Sequence, residues 1–475
     1  MNRFCFVFIF LLAYSKAGAH SDAFWKSIET DFVSMELTYL NNPSVESRYP
    51  ALARFFLESF WGWNPGTTWD MSTSCDLDQF KTNLVLEQTP VKKQLVVTKF
   101  LRRCSPIYSK NNMLNGLKII SQKGSFENHP FFKYSFLNFP DKVKTRALWG
   151  FKTQSKRDLV IIRPGIFASV DELIAEKYLL YILTELNNFH VVVLENSTSG
   201  DHIVNNEHGM IGGPKEAFEN LYLVDQIRKN KTLAALVDKV HLLGISLGAN
   251  GVLLSSLVNQ KQNYRYFDKT LLLCPVVDLK ASFQAQMANG WTPYLLDWWS
   301  SYRFKDLAKK KDFQLESAVD SLLSLSPRWV NGVWMWLEKK YLYRASWQLY
   351  LSKDFYTGQF KNDYQFFSNQ TMLPMQLFVL ATEVDPIVVP EMNFDRLSKH
   401  ANEHTFFAKF ENGIHCSFAY TYQWKFLDRF LSGLLESSTK KRNEGLASIG
   451  AKYQVESIMP FKNFNRSKFR LFLSH

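Results

Sequence analysis

From residue 131 onward, short apolar runs alternate with stretches in which apolar residues recur every three or four positions. The runs predict β-strands over 131–139, 143–151, 158–163, 190–195, 240–243, 270–277, 375–380 and 404–410. The stretches predict helices over 170–186, 214–229, 249–258, 389–398 and 418–435. Strands that alternate with helices form a parallel sheet covered on both faces, so the pattern predicts an α/β fold. A Pro-Asp turn between the first two strands predicts a hairpin at the sheet edge.

The segment before this alternation has a different pattern. Residues 20–130 carry apolar positions at helical spacing and a turn-rich break, and they predict an N-terminal helical extension. Within it, 75–103 predicts a helix that Pro90 interrupts. The extension contains no recognisable chemistry, so we expect it to pack against the core or to shelter the mouth of a site.

The stretch 240–248 reads Val-His-Leu-Leu-Gly-Ile-Ser-Leu-Gly and joins a buried strand to a helix. Gly244, Ser246 and Gly248 fit the pattern G-x-S-x-G. Such a turn holds its serine in a strained conformation, and a side chain two residues before or after it would clash. The pattern therefore predicts a nucleophilic serine, although a plain glycine-rich turn is the alternative.

At this motif the chain resembles the α/β-hydrolase superfamily, whose nucleophile elbow has the same pattern. The resemblance covers 131–437 and implies a mostly parallel sheet with helices on both faces, built from 131–279 and 371–437. It also implies that the insertion between them, 280–370, forms a helical cap over the site.

The predicted cap is rich in aromatic residues. It holds seven of the 13 tryptophans, at Trp291, Trp298, Trp299, Trp329, Trp334, Trp336 and Trp347. The functional interpretation is an apolar lid that binds an acyl chain or an aromatic group. The alternative is that the tryptophans form the small core of the cap itself.

A serine nucleophile needs a base, and the base needs a carboxylate to orient it. In the superfamily the order along the chain is serine, acid, histidine. The strand predicted at 375–380 leads into Asp385-Pro386-Ile387-Val388, which resembles the acid turn of the family, so Asp385 is the expected acid. Glu383 and Asp278 are the alternatives, and a helix-capping role is the non-catalytic interpretation of Asp385.

His415 is the expected base, because it lies between the last predicted strand and the last predicted helix. The other histidines considered are in unsuitable places. His400 and His404 precede the strand or begin it, and His202 and His208 precede the serine.

Two backbone N–H groups are expected to hold the oxyanion. One belongs to Leu247, which follows the serine, and the other comes from the loop of Gly165 and Ile166 after the strand at 158–163. This loop lacks the HGGG sequence of some lipases and esterases, so membership of that subgroup is not indicated. Arg163 and Phe167 are candidates for lining the pocket.

The first 19 residues have the pattern of a secretory signal peptide. Arg3 gives a positive start, an apolar run follows, and Ala17-Gly18-Ala19 provides a small-residue cleavage site. The run is shorter than the ~20 residues that a bilayer requires. We therefore expect cleavage after Ala19 and a secreted or periplasmic protein, with an uncleaved membrane anchor as the alternative.

Cleavage would leave four cysteines. Cys75 and Cys104 are favoured for a disulfide in an oxidising compartment, and four plain buried thiols, with Cys274 and Cys416, are the alternative. No C-x-x-C spacing indicates a metal site, and we expect no cofactor.

The net charge of +12 comes from scattered basic residues, which argues against binding to nucleic acid. The tail 438–475 is basic and aromatic, so contact with an anionic membrane surface is one interpretation and an ordinary docked or frayed terminus is the other.

These residues together predict an exported serine hydrolase that cleaves a carboxylic ester, from a small molecule or a lipid, through an acyl-enzyme. An amidase or peptidase with the same triad is the alternative within enzymes. A catalytically inactive binding protein with this fold is the alternative outside them. The pattern does not indicate an oligomeric state.

Overall fold

The computed structural model describes residues 75–107, 126, 132–139, 143–151, 155–170, 176–206, 213–261, 265–278, 282, 373–413, 415–416 and 418–436. The signal peptide, the larger part of the extension, nearly all of the cap with its seven tryptophans, and the tail lie outside these residues. They stay predictions, as do the domain boundaries.

One sheet of eight strands runs through the described part of the chain. Its strands are β1 Phe132–Asn138, β2 Lys144–Gly150, β3 Arg157–Arg163, β4 His190–Leu194, β5 Val237–Ile245, β6 Lys269–Leu273, β7 Leu377–Thr382 and β8 Thr405–Phe410. Their order is β1-β2-β4-β3-β5-β6-β7-β8. β1 is antiparallel to β2 and β2 to β4, and the remaining pairs are parallel. The predicted edge hairpin and the mostly parallel sheet are confirmed.

One strand is shorter than its apolar run predicts. β6 ends at Leu273, whereas the pattern indicates a strand as far as residue 277. The chain turns at Cys274, where φ is 44°. Val276 and Val277 are nevertheless buried, and the Val276 N–H donates to the Ser246 carbonyl at 3.2 Å. The pattern alone does not distinguish a buried loop from a strand.

The helices within the described residues cover both faces of the sheet. They are α1 Leu77–Leu86, α2 Pro90–Arg103, α3 Lys177–Leu180, α4 Gly200–Asn206, α5 Pro214–Lys229, α6 Lys231–Leu236, α7 Leu247–Lys261, α8 Phe394–Ser398, α9 Phe418–Thr421 and α10 Trp424–Leu435. A π-helical turn, Tyr181–Leu186, continues α3, and a 3₁₀ turn, Pro390–Met392, precedes α8. As predicted, Pro90 begins a new helix.

Alternate strand residues face opposite cores, as the period of a strand requires. Val160 and Ile162 of β3 pack in the core that α1, α3 and α10 cover. Leu159 and Ile161 pack in the core that α5, α7 and α8 cover. Both faces are therefore buried, which explains why the parallel strands have continuous apolar runs.

The last predicted helix is broken into α9 and α10 because another segment of the chain interrupts it. Tyr422 forms an antiparallel bridge with Ile107, and the Gln423 N–H donates to the Pro106 carbonyl at 2.9 Å. These hydrogen bonds replace the helical ones at the break. The spacing of apolar residues within the helix does not reveal this distant partner.

The helical pair α1 and α2 is closed on itself by a disulfide and is joined to the core by aromatic packing. Cys75 and Cys104 form a disulfide, so the bridged alternative is the correct one for these two residues. Phe80 and Phe100 stack on Phe426 of α10 at centroid distances of 5.7 and 5.8 Å. The end of the extension nearest the core is thus part of the same packed unit.

Two buried lysines bind the carboxyl end of α10 at the edge where the parallel strands begin. Lys269 Nζ donates to the carbonyls of Leu434, Leu435 and Glu436 at 2.7–2.9 Å. Lys93 Nζ donates to the Gly433 carbonyl at 2.6 Å. These lysines donate to carbonyls that have no N–H donor within the helix, because they lie at its end. Burial lowers the pKa of Lys93 to about 7 and that of Lys269 to about 8.

Within the described residues, no helix combines the length and the apolar character that crossing a membrane requires.

Candidate active site

Ser246 lies between β5 and α7 in a left-handed backbone conformation, with φ at 53°. L-residues other than asparagine and aspartate rarely adopt this conformation, and it persists only where the surroundings enforce it. The Ser246 N–H donates to the Leu273 carbonyl at 2.8 Å, and the Ala249 N–H donates to the Ser246 carbonyl at 3.2 Å. The turn is therefore held by the neighbouring strand and by the helix that follows.

The two glycines of the motif are required by close backbone contacts. A Cβ atom on Gly244 would lie 2.4 Å from the Ala249 Cα, and one on Gly248 would lie 2.3 Å from the Pro164 carbonyl oxygen. Neither neighbour is the end of a flexible side chain, so no small shift relieves the overlap. The spacing of the motif is thus explained by sterics at the turn.

Asp385 and His415 lie in the loops that follow β7 and β8. His415 Nδ1 is 2.8 Å from Asp385 Oδ2. The other oxygen of Asp385 accepts hydrogen bonds from the N–H groups of Ile387 and Val388 at 2.9 and 2.8 Å. Because one oxygen is fixed by its own turn, the second is directed at the imidazole. The carboxylate therefore both caps the turn and contacts the histidine.

The rival acids lie elsewhere. Glu383 is exposed, and the Asp278 carboxylate forms an ion pair with Arg396. Of the rival histidines, His404 precedes β8 at the opposite edge of the sheet, and His202 is buried 3.7 Å from Glu195. His208 lies outside the described residues. The structure thus brings together Asp385 and His415, the pair that the order along the chain favours.

The loop after β3 lies beside the serine. A Cβ atom on Gly165 would lie 3.5 Å from Ser246 Cβ and 4.0 Å from its Oγ. The Phe167 N–H is already bonded to Thr198 Oγ1 at 2.7 Å, whereas no described residue accepts a hydrogen bond from the Ile166 N–H. Leu247 is the first residue of α7, so its N–H has no acceptor within the helix. Neither of these two N–H groups is therefore used by a hydrogen bond within the described part of the chain.

Residues that follow β4 hold this loop, and sequence reasoning missed them. Thr198 Oγ1 donates to Asn196 Oδ1 at 2.5 Å while it accepts from Phe167. Asn196 Nδ2 donates to the Pro164 carbonyl at 3.2 Å, and its N–H donates to the Ala168 carbonyl at 3.0 Å. The available signal was the polar run Asn196-Ser197-Thr198-Ser199 directly after a buried strand.

Arg163 does not line a pocket, which corrects the sequence interpretation. Its side chain is fully buried and pairs with Glu219 Oε2 at 2.7 Å, Asn220 Oδ1 at 2.8 Å and the Glu195 carbonyl at 3.1 Å. Burial, with a smaller effect from Asp201, raises the pKa of Glu195 to about 8. This polar cluster fixes the ends of β3 and β4 from below the loop that lies beside Ser246.

Asn393 joins the segment after β6 to the loop that carries Asp385. Its Oδ1 accepts from the N–H groups of Val277 and Asp278 at 2.7 and 2.9 Å. Its Nδ2 donates to the Val389 carbonyl at 3.0 Å and to Ser282 Oγ at 2.8 Å. The point where the chain leaves the described core toward the predicted cap is therefore tied to the acid loop.

Two thiols, Cys274 and Cys416, lie buried beside the site. Burial raises the pKa of each thiol, and that of Cys416 lies well above its ordinary value. Both are therefore uncharged near neutral pH, and an uncharged thiol is a poor nucleophile. Together with His415 they are a group of potential metal ligands within the described residues.

No family model matches this sequence. No curated protein matches it either.

Solved structures with a similar arrangement include an esterase of Pyrococcus furiosus, at 14% identity over 66% of this chain and 96% of that chain, with a TM-score of 0.39. An esterase of Pyrobaculum calidifontis has 14% identity over 81% and 95% of the two chains, with the same TM-score of 0.39. A puromycin-hydrolyzing peptidase of Mycobacterium tuberculosis has 10% identity over 64% and 37%, with a TM-score of 0.37. Such low scores assign no activity, so the fold assignment relies on the strands themselves. By the order and direction of its eight strands, with the serine turn between β5 and α7, this chain has the α/β-hydrolase fold.

Proposed function

We propose that the protein is a serine hydrolase that cleaves a carboxylic ester through an acyl-enzyme, with Ser246, His415 and Asp385 as its triad. The observation that carries the proposal is the 2.8 Å contact between His415 Nδ1 and Asp385 Oδ2, at the same edge of the sheet as the strained serine. A carboxylate in that position holds the imidazole in the tautomer that accepts a proton at Nε2.

In the first half of the reaction, Ser246 Oγ attacks the carbonyl carbon while its proton passes to His415 Nε2. Asp385 stabilises the imidazolium through Nδ1 without taking its proton. The N–H groups of Leu247 and Ile166 bind the oxyanion of the tetrahedral intermediate. The imidazolium then gives its proton to the departing alcohol oxygen, and the acyl group remains on Ser246.

In the second half, His415 takes a proton from a water molecule, which attacks the acyl carbon. The intermediate is held by the same two N–H groups. His415 returns its proton to Ser246 Oγ, and the carboxylic acid leaves. The cycle needs no metal ion and no electron transfer, because protons and one water molecule balance it.

An ester is the less demanding substrate for this machinery, since an alcohol is a better leaving group than an amine. The similar solved structures include both esterases and a peptidase, so their names do not separate the two classes. The aromatic composition of the predicted cap favours an acyl or aromatic group on the substrate. An amidase with the same triad would also cleave activated esters, and the inactive binding protein would cleave neither.

The test combines a substrate panel with a covalent probe. Acyl esters of graded chain length are compared with the corresponding amides, and a fluorophosphonate probe labels the active serine. We expect ester turnover above amide turnover and stoichiometric labelling that Ser246→Ala abolishes. Labelling that persists in Ser246→Ala, as measured by intact-protein mass spectrometry, would show that the nucleophile is another residue.

We also propose that the protein is exported and cleaved after Ala19. Support comes from the disulfide between Cys75 and Cys104, since such bonds persist in oxidising compartments. N-terminal sequencing of protein from the extracytoplasmic fraction should begin at His20. A chain that still begins at Met1 would favour a membrane anchor.

A further inference from the structure

The two buried thiols beside the triad have no part in the mechanism above. Cys274 follows β6 directly, and Cys416 follows His415 in the loop after β8. The Cys416 N–H donates to the Cys274 sulfur at 2.9 Å, although the two residues are 142 positions apart in the chain. The thiols therefore meet at the edge of the sheet that carries the serine.

The backbone at both cysteines is strained. Their φ angles are 44° at Cys274 and 54° at Cys416, in the left-handed region that branched or bulky residues avoid. Cys274 is held there because its N–H donates to the Leu380 carbonyl at 2.7 Å at the end of β7. Such conformations occur preferentially at functional sites and bound-ligand clamps. The pair is thus placed by the same turns that place the triad.

The imidazole of His415 completes a set of three metal-binding side chains. One nitrogen of the ring and the two sulfurs all lie within 4.8 Å of one another. Bonds of about 2.0 Å to nitrogen and 2.3 Å to sulfur would place ligand atoms of a tetrahedral ion roughly 3.3–3.8 Å apart. Side-chain rotations that close the group by about 1 Å would therefore suffice. His415 is partly exposed, which provides a route from solvent.

We propose that Cys274, His415 and Cys416 bind one thiophilic d¹⁰ metal ion, such as Zn²⁺, with a water molecule as the fourth ligand. Thiolate and imidazole ligands select such ions over Mg²⁺ or Ca²⁺. Each thiol loses its proton to solvent when the metal–sulfur bond forms. Binding of the ion is reversible. It inhibits the enzyme, because the ion occupies the imidazole that the ester reaction requires.

The inhibition follows whichever ring nitrogen binds the ion. An ion on Nε2 blocks proton transfer from Ser246, and an ion on Nδ1 displaces the contact with Asp385. The binding part of this inference stands on the geometry alone, whereas the inhibition also depends on the proposed function. The two parts therefore need separate measurements.

Binding is tested with Cd²⁺ alone, because cadmium–thiolate bonds have a characteristic ultraviolet charge-transfer absorption. The protein is handled without oxygen and without reductant, so that the bond between Cys75 and Cys104 stays intact, and free thiols are counted first in denaturant. We expect one equivalent of Cd²⁺ to saturate the band, and Cys274→Ser or Cys416→Ala to weaken binding by roughly 100-fold. Cys274→Ser keeps an acceptor for the Cys416 N–H, and circular dichroism checks the fold of each variant.

Inhibition is tested with Zn²⁺ on ester turnover. Each variant is compared with itself before and after addition of the metal, and a chelator should restore the activity. We expect the turnover rate of the wild type to fall at least tenfold. His404→Ala removes a partly exposed histidine at the opposite edge of the sheet and should respond as the wild type does.

Several results would overturn the inference. Absence of a charge-transfer band in the wild type would show that the site does not bind the metal. A band that persists when both cysteines are replaced would place the metal elsewhere. If the denatured, unreduced protein shows no free thiol at Cys274 and Cys416, the pair is a disulfide instead. Cadmium binding without any ester turnover would overturn the proposed esterase function and leave the metal site standing.

Discussion

The two edges of the parallel sheet contrast in what their buried polar groups do. At the edge where the strands end, Ser246, Cys274 and Cys416 adopt strained backbone conformations, and Asp385 contacts His415. At the edge where the strands begin, buried lysines donate to helix carbonyls and are otherwise enclosed. One edge thus holds the candidate reactive groups in strained positions, and the other holds lysine side chains that donate to buried carbonyls.

This difference predicts that the two edges respond to mutation in opposite ways. Strain and orientation at the first edge are set by many backbone hydrogen bonds, so removing a reactive side chain leaves the fold intact. At the second edge the side chain is itself the partner of the backbone, so removing it leaves buried carbonyls without donors. Substitutions can therefore separate activity from stability.

The largest effect is expected from Asp385→Asn. The amide oxygen can still accept from the N–H groups of Ile387 and Val388, so the turn is kept while the charge that orients His415 is lost. We expect kcat for ester hydrolysis to fall on the order of 10²–10⁴-fold with KM and the thermal midpoint nearly unchanged.

Two matched substitutions control for the loss of a carboxylate. Glu383→Gln should leave kcat unchanged, because the side chain is exposed, and Asp278→Asn should affect only the pairing with Arg396. A collapse of kcat confined to Asp278→Asn would move the acid one strand earlier.

The contrast between the edges also explains how far the sequence could be interpreted. The elbow and the acid turn are local patterns, in which a few neighbouring residues decide the backbone, so they were visible in the chain. The supports of the site are not local. Asn393, Thr198 and the two thiols act on segments tens to more than a hundred residues away, and no periodicity marks such partners.

The same reason accounts for the errors in the predicted elements. The apolar run predicts too long a β6, because Val276 and Val277 are buried in a loop. The spacing predicts an unbroken last helix, because the partner at Pro106 is distant in the chain. Arg163 adjoins the Gly165 loop in the sequence, which suggests a place in the pocket. Its partners on α5, Glu219 and Asn220, make full burial possible.

The next effect is a pH dependence of stability that belongs to the edge where the strands begin. His190, the first residue of β4, is fully buried, and burial lowers its pKa from 6.5 to about 4. Between these two values the unfolded chain binds the additional proton. The free energy of unfolding should therefore fall as the pH is lowered through this window, by at most about 1.4 kcal/mol per pH unit for this group.

Urea unfolding of wild type and His190→Gln at several pH values would isolate this contribution. Glutamine can donate to the Ser155 carbonyl as the ring nitrogen does, but it does not titrate. We expect the free energy of unfolding of the variant to depend less steeply on pH. The carboxylates contribute equally in both proteins, so the difference in slope belongs to His190. Equal slopes would mean that the buried imidazole does not titrate in this range.

A smaller effect is expected from Lys269→Met. Methionine fills a similar volume but leaves the carbonyls of Leu434, Leu435 and Glu436 without their donor. We expect a loss of about 1–3 kcal/mol in the free energy of unfolding, while kcat per folded molecule is unchanged.

Lys239→Met provides the matched control for this prediction. Lys239 lies on the adjacent strand and pairs with Asp268 near the surface, so its loss should change stability by less than about 1 kcal/mol. Equal effects of the two substitutions, or a fall in kcat with Lys269→Met, would remove the distinction between the two edges.

The smallest effect tests a residue that supports the reactive edge without reacting. Valine at position 198 has the shape of threonine but leaves the Phe167 N–H without its acceptor and removes the hydrogen bond to Asn196. The Gly165 loop should then place the Ile166 N–H less accurately, so we expect Thr198→Val to lower kcat about tenfold, roughly 1.4 kcal/mol, with KM little changed. Thr198→Ser keeps the hydroxyl and should restore most of the rate. If both variants keep the kcat of the wild type, the bonds from Asn196 to Pro164 and Ala168 are sufficient to hold the loop. Thr198 would then contribute only to packing.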